Sequence, residues 1–286
     1  MDTHDAPSTP SGPAGERAGL DRDIFGRVPK RTADWSHRRG EPRVFAFCWT
    51  LYLMGVVAYL FARGGALRAF TSDAFRPTAR TMMLMVLGGV CLLWPLVRLS
   101  QARPRSGGVS ATGRDLVILL VPAQALIWPQ VWLAGWPLGV VLMLSSLVLV
   151  WALVVGAVIA LALGAGGARG VGGVGGALES DVGTPGAHAP AWAMLACVVL
   201  ISAGFFGPMV MPQRAGHPWL DARPGWMLSP FLAVFEVTRD RSWLGASALV
   251  GRIHWLMVLG LGAVAASMWI VVAGVRRDGG VQHRPE

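Results

Sequence analysis

The sequence predicts an all-α, polytopic membrane protein with six transmembrane helices and a re-entrant hairpin before the last. Three observations predict it. Of the 286 residues, 53% belong to the AVILMFWYC set and 37 more are glycine. That makes about two-thirds of the chain apolar, against about 45–50% by a similar count in soluble domains. Charged residues are 14% of the chain, where a soluble surface carries about a quarter. The apolar residues also gather into runs close to the length of a bilayer crossing, with arginines at their ends. A water-soluble enzyme, a secreted disulfide scaffold and a disordered chain all need more polar material or another residue balance.

Residues 1–19 read as a flexible tail, since APSTPSGPAGERAG offers little to bury. Residues 20–43 read as a cytoplasmic segment. Leu20, Ile24 and Val28 fall four apart with Phe25 beside them, among Arg22, Arg27, Lys30 and Arg31. That spacing fits a short amphipathic helix at a membrane surface, interrupted near Pro29, and equally a basic arm without structure. No apolar core of signal-peptide length precedes the first span, so targeting is expected from that span itself.

The transmembrane domain is expected over residues 44–277. Its first span, 44–62, lies between Arg43 and Arg63 and matches the roughly 20 residues that cross a hydrocarbon core of about 30 Å. The second, 81–97, lies between Arg80 and Arg98, with Trp94 at an interfacial level. From Leu116 to Ala168 no side chain ionises, a run too long for one crossing and ample for two. The break falls at Gly135-Trp136-Pro137, giving spans 116–134 and 138–163. Pro122 and Pro129 should kink the first of these. Residues 164–190 read as a glycine-rich linker. Gly170, Gly172 and Gly175 match GxGxxG there by density alone, with no strand before them. The fifth span is 191–211 and the sixth 253–275, closed by Arg276-Arg277, with a cytoplasmic tail at 278–286.

Six spans place both termini on one side. Lysines and arginines number 16 on that side and 9 on the other, which favours cytoplasmic termini in the cell (inner) membrane. The basic residues, all arginine but Lys30, sit between apolar runs and form no aromatic-interleaved stripe, so nucleic acid is not an expected partner.

Chemistry is sparse. Cys48, Cys91 and Cys197 are isolated inside apolar runs and read as packed hydrophobes rather than metal ligands. The histidines at 4, 37, 188, 217, 254 and 283 avoid the span centres. No cofactor, metal site or catalytic constellation is expected. No span centre holds Asp, Glu, Lys, Arg or His, leaving Gln124, Gln130, Ser145, Ser146, Ser202 and Ser267 as interior polar candidates. A carrier driven by an ion gradient usually needs such a group in its bundle. The chain also lacks GxxxxGK[ST], so any ATP must be split on another polypeptide.

The loop before the last span is the most structured. Ser229-Pro230 is a helix start, with serine to cap and proline set for the first turn. Phe231, Leu232, Val234, Phe235 and Val237 follow as an apolar helix too short to cross. Trp219, Leu220, Trp226, Met227 and Leu228 form a second apolar cluster, broken by Pro224-Gly225. Two such segments fit a hairpin dipping into the outer interface, or a surface loop anchored by tryptophan.

This arrangement resembles the membrane subunits of type 2 ATP-binding-cassette exporters. Ser229-Pro230-Phe231-Leu232-Ala233-Val234 is similar to the proline motif that precedes the family's final span. Arg38 to Phe47, RRGEPRVFAF, is similar to its entry into the first span. The likeness extends over most of residues 20–277, on short motifs. It implies a permease subunit working with a separate ATPase subunit, as a homo- or heterodimer. An outer gate would be formed by Trp219, Trp226, Ser229, Pro230, Phe231 and Phe235. Arg27, Lys30, Arg98, Arg103 and Arg105 would contact the partner. Two features depart from the family pattern. The loop from Ser100 to Asp115 has no glutamate, and the loop between spans four and five is long and glycine-rich. The alternative is a non-catalytic anchor or scaffold in a larger membrane complex. Paired small residues such as Gly88-Gly89 would serve close helix contact in either case.

Overall fold

The structure is a computed structural model. It describes residues 42–65, 71–100, 108–164, 189–206, 209, 223–240 and 248–278. All of these belong to the unit formed by residues 40–286. The described residues are helical, with no strand among them. The expected tail and amphipathic segment, including Arg27 and Lys30, lie outside the described residues. So do Arg103, Arg105, Trp219, the carboxy-terminal tail beyond Asp278 and most of the glycine-rich linker.

Helix α1 is Pro42–Gly65. Helix α2, Ser72–Gly88, runs through a π turn at Gly89–Leu93 into α3, Trp94–Ser100, forming one rod. Helix α4, Gly108–Ile127, breaks at Trp128-Pro129 and resumes as the single turn α5, Gln130–Leu133. Helix α6 is Leu138–Gly164 and α7 is Ala189–Ala203, extended by a 3-10 turn to Phe206. A 3-10 turn at Pro224–Leu228 leads into α8, Pro230–Val237, and α9 is Arg252–Asp278. Five of these rods are long and apolar enough to cross a membrane: 43–62, 72–100, 108–133, 138–163 and 252–274. The chain is a multi-pass helical membrane protein.

Several boundaries differ from the expected ones. The second rod starts at Ser72, not near Thr81, because Asp73, Arg76 and Arg80 ride on the same helix and pair at its end. Hydropathy excludes charges from a span, although the backbone helix continues through them. The third rod likewise starts at Gly108, ahead of Leu116. The fifth apolar helix, expected over 191–211, is described over 190–206, with 207, 208, 210 and 211 outside the described residues. Gly204 meets the hairpin, where a Cβ would stand 2.5 Å from the Leu228 carbonyl oxygen and from Ser229 Cα.

Pro129 breaks its helix as expected, while Pro122 stays inside α4. Pro95 has an effect not anticipated. A proline lacks the N–H for the carbonyl four residues back, and its ring crowds that carbonyl. Here the preceding turn widens, with the Trp94 N–H reaching Gly89 O.

Helix α6 is the central post, with 67% of its spanning window buried, packed chiefly against α4 and α9. It is apolar all round, as a helix wrapped by neighbours and lipid must be. Helix α1 packs on α2 and α4. Its Trp49 indole donates to Leu119 O at 3.1 Å and its Tyr52 hydroxyl donates to Met85 O at 2.7 Å. Both rings lie over Gly89, where a Cβ would stand 2.6–2.9 Å from them. Trp269 on α9 donates to Leu153 O of α6 at 3.0 Å. Indole and phenol donors thus tie rods together through backbone carbonyls that keep their helical bonds, since each carbonyl has two lone pairs.

Candidate functional site

The expected gate segment folds into one end of the bundle. Ser229 has extended dihedrals (φ −103°, ψ 133°), and its Oγ accepts the Leu232 N–H at 3.4 Å, with Pro230 at the first helical position. Both residues are buried. Phe231 is half-buried and stacks on Phe205 of the α7 extension, centroids 6.4 Å apart. Trp226 is half-buried beneath the Arg223 guanidinium, 4.7 Å from the ring centroid. Phe235 faces outward, 43% exposed. Segment 223–237 therefore packs against α2, α6 and α9 by its apolar face.

Polar contacts fix its far end. Arg80 on α2 donates Nε to Thr238 Oγ1 at 3.0 Å, and its Nη2 donates to the Thr238 carbonyl and to Asp240 Oδ2. Arg76, one turn earlier, reaches Asp240 Oδ1 at 3.3 Å and Asp73 at 2.8 Å, and its Nε donates to Ala134 O at 3.1 Å. Two arginines of one helix thus hold the carboxyl end of α8, where free carbonyls favour positive charge. The ion pairs are partly exposed and contribute about 0.2–1 kcal/mol each.

Glu236 lies on the inner side of the same short helix, fully buried. Its Oε1 accepts the Arg223 backbone N–H at 3.3 Å and stands 3.4 Å from His254 Nε2. His254, also buried, accepts the Gly251 N–H at Nδ1, 3.0 Å away. With Nδ1 accepting, Nε2 is the ring nitrogen left to donate, and it is aimed at the carboxylate. The pair joins the hairpin to the first turn of α9.

A second buried pair occupies the opposite end of the bundle. Arg98 Nε lies 2.9 Å from Asp115 Oδ2, with side chains 3% and 1% exposed. Arg98, which the resemblance implies as a partner contact, is thus buried within this chain. It is turned inward by a carboxylate that hydropathy leaves one residue outside its span.

Arg80 and Arg98 stand on one rod, 18 positions apart by number, or about 27 Å at 1.5 Å per residue. That separation is close to the hydrocarbon thickness of about 30 Å. Of the expected interior polar groups, Gln130 is buried and Gln124, Ser145 and Ser146 are half-buried, while Ser202 and Ser267 are exposed. Ser145 donates to Gln124 Oε1 at 2.7 Å, while Ser146 and Ser267 donate to carbonyls of their own helices. Among the described residues no group of three or more His, Cys, Asp or Glu could hold a metal ion.

Sequence reasoning found the cap at Ser229 but missed Glu236, His254, Asp240, Arg76, Arg80 and Asp115. One signal was available. Glu236 is the single charge in PFLAVFEV, and a carboxylate inside an apolar segment implies a buried partner. Comparison with protein-family models, curated proteins and solved structures finds no match, so the functional reading rests on this geometry.

Proposed function

We propose that the chain is the permease subunit of an ATP-driven exporter in the cell (inner) membrane, with cytoplasmic termini and a separate ATPase subunit. The observation that carries this reading is the hairpin 223–240, folded into one end of the bundle and clamped to α2 and α9. It sits above spans whose middles hold no Asp, Glu, Lys, Arg or His. The buried ionisable residues, Arg98 with Asp115 and Glu236 with His254, are paired in the two end layers; the span middles offer no group for coupling to an ion gradient, so the work comes from another polypeptide. A segment attached to two different rods feels any change in their separation, which suits a gate at the outer end. Two copies, or this chain and a homologous one, form the pathway between them. Arg27, Lys30, Arg103 and Arg105 face the ATPase. Arg98 holds its rod to α4 beneath that contact.

The test is purification from native membranes in mild detergent, followed by reconstitution. The expected result is co-purification of a phosphate-binding-loop ATPase, and solute movement in liposomes that needs ATP and that subunit. Movement driven by an imposed proton or sodium gradient with this chain alone would overturn the proposal.

A scaffold role draws on a different observation. The spanning window of α9 is only 17% buried, and Leu256, Leu259, Val264, Ile270 and Val271 face outward. Co-purification of other membrane subunits without any ATPase would favour that reading.

A further inference from the structure

A cavity of about 460 Å³ opens between the end of α1, the start of α2 and the α4–α5 break. Its volume lies in the range of small-molecule sites, about 300–1,000 Å³. The wall is largely apolar, with Leu60, Phe75, Met82, Leu126 and Trp132 among its residues, and among the described residues no Asp, Glu, Lys, Arg or His lines it. Phe61 and Trp132 at its edge are 74% and 79% exposed. On a membrane-spanning bundle, exposed apolar rings at the end of a rod face lipid or its interface.

Two hydroxyls, Thr71 and Ser72, stand at the exposed rim, and one polar side chain is buried in the wall. Gln130 is 2% exposed and begins α5, beyond the break at Pro129. Its Nε2 donates to Leu126 O at 3.0 Å and lies 3.8 Å from Met82 Sδ. The donation to a carbonyl sets the amide orientation. It leaves Oε1 as a buried acceptor with no donor among the described residues. Buried acceptors in native structures are nearly always paired, and an exception calls for a partner not yet seen.

We propose that this cavity binds an uncharged lipid bearing a hydroxyl, with its chain along the apolar wall and its O–H donated to Gln130 Oε1. The chemistry selects that class. A carboxylate or phosphate could meet the rim hydroxyls of Thr71 and Ser72 but offers only acceptors to the buried Oε1, and an ammonium finds no countercharge among the described wall residues. A hydroxyl donates without charge, and the exposed rim opens to the phase where such molecules dissolve. The inference is independent of the transport reading and holds for an exporter subunit or a scaffold alike.

The test uses the full chain in phosphatidylcholine nanodiscs. A dibrominated long-chain alcohol, and the dibrominated alkane of the same length, are titrated as quenchers of tryptophan fluorescence. The difference between the protein and its Trp132→Phe variant isolates quenching at the cavity. Saturable quenching is expected, with the alcohol about fivefold tighter than the alkane, the value of one net hydrogen bond. Gln130→Leu should bring that ratio close to one, and Ala125→Phe should abolish the signal from both. Equal affinities in the unaltered protein would mean that water satisfies Oε1 and would overturn the proposal without any cavity variant. Quenching that fails to saturate, or a preference that survives Gln130→Leu, would overturn it as well.

Discussion

Arg98 and Asp115 show how much a single buried charge commits its neighbour. Both are almost wholly enclosed and 2.9 Å apart, so removing one leaves the other without its counterion. Arg98→Ala should lower stability by about 3–5 kcal/mol, read as a lower midpoint of thermal unfolding in detergent. Arg98→Leu combined with Asp115→Leu should recover most of that loss, because no charge is then stranded. A double variant as unstable as the sum of its parts would contradict the pairing. Glu236 makes a subtler case. Glu236→Gln keeps an acceptor for the Arg223 N–H and for His254, and should change stability by under about 1 kcal/mol. Glu236→Leu strands the imidazole N–H and should cost about 1–3 kcal/mol. Nitrogen NMR should find the His254 proton on Nε2 in the unaltered protein, and a proton on Nδ1 would refute the hydrogen bond to Gly251.

At the scale of elements, the junction between α7 and the hairpin depends on one missing side chain. A methyl group at Gly204 would meet the backbone of Leu228 and Ser229 at 2.5 Å, and neither can rotate away. Gly204→Ala should therefore push the hairpin off the end of α7, with a loss of about 1–3 kcal/mol from overpacking. Gly55→Ala is the matched control. It sits mid-helix with nothing within 4 Å, and should be neutral or stabilising by up to about 1 kcal/mol. Equal effects in the same unfolding assay would show that the contact at Gly204 does not constrain the hairpin.

At the scale of the whole molecule, the rod from Ser72 to Ser100 measures the membrane. Its ends carry exposed serines, and its arginines lie in the two polar layers. In a background with Cys48, Cys91 and Cys197 replaced, Ser72→Cys and Ser100→Cys should react with an impermeant thiol reagent from opposite sides of sealed cells. Reaction from outside is expected at position 72 alone if the termini are cytoplasmic. Labelling of both from one side would dismiss the rod as a crossing.

Solvent, fold class and most of the rods were legible in the sequence, because burying an apolar run in lipid is a local property of that run. The cap at Ser229-Pro230 was legible for the same reason, since a cap involves only the next few residues. Rod ends were read too short at α2 and α4, where Asp73, Arg76, Arg80 and Asp115 remain helical by pairing with residues distant in the chain or across the turn. The partnership of Glu236 with His254, the inward turn of Arg98 and the unpaired Gln130 oxygen were decided only in three dimensions. Whether a polar group is satisfied depends on which donor or acceptor another rod brings within about 3 Å, and no periodicity in one segment records that.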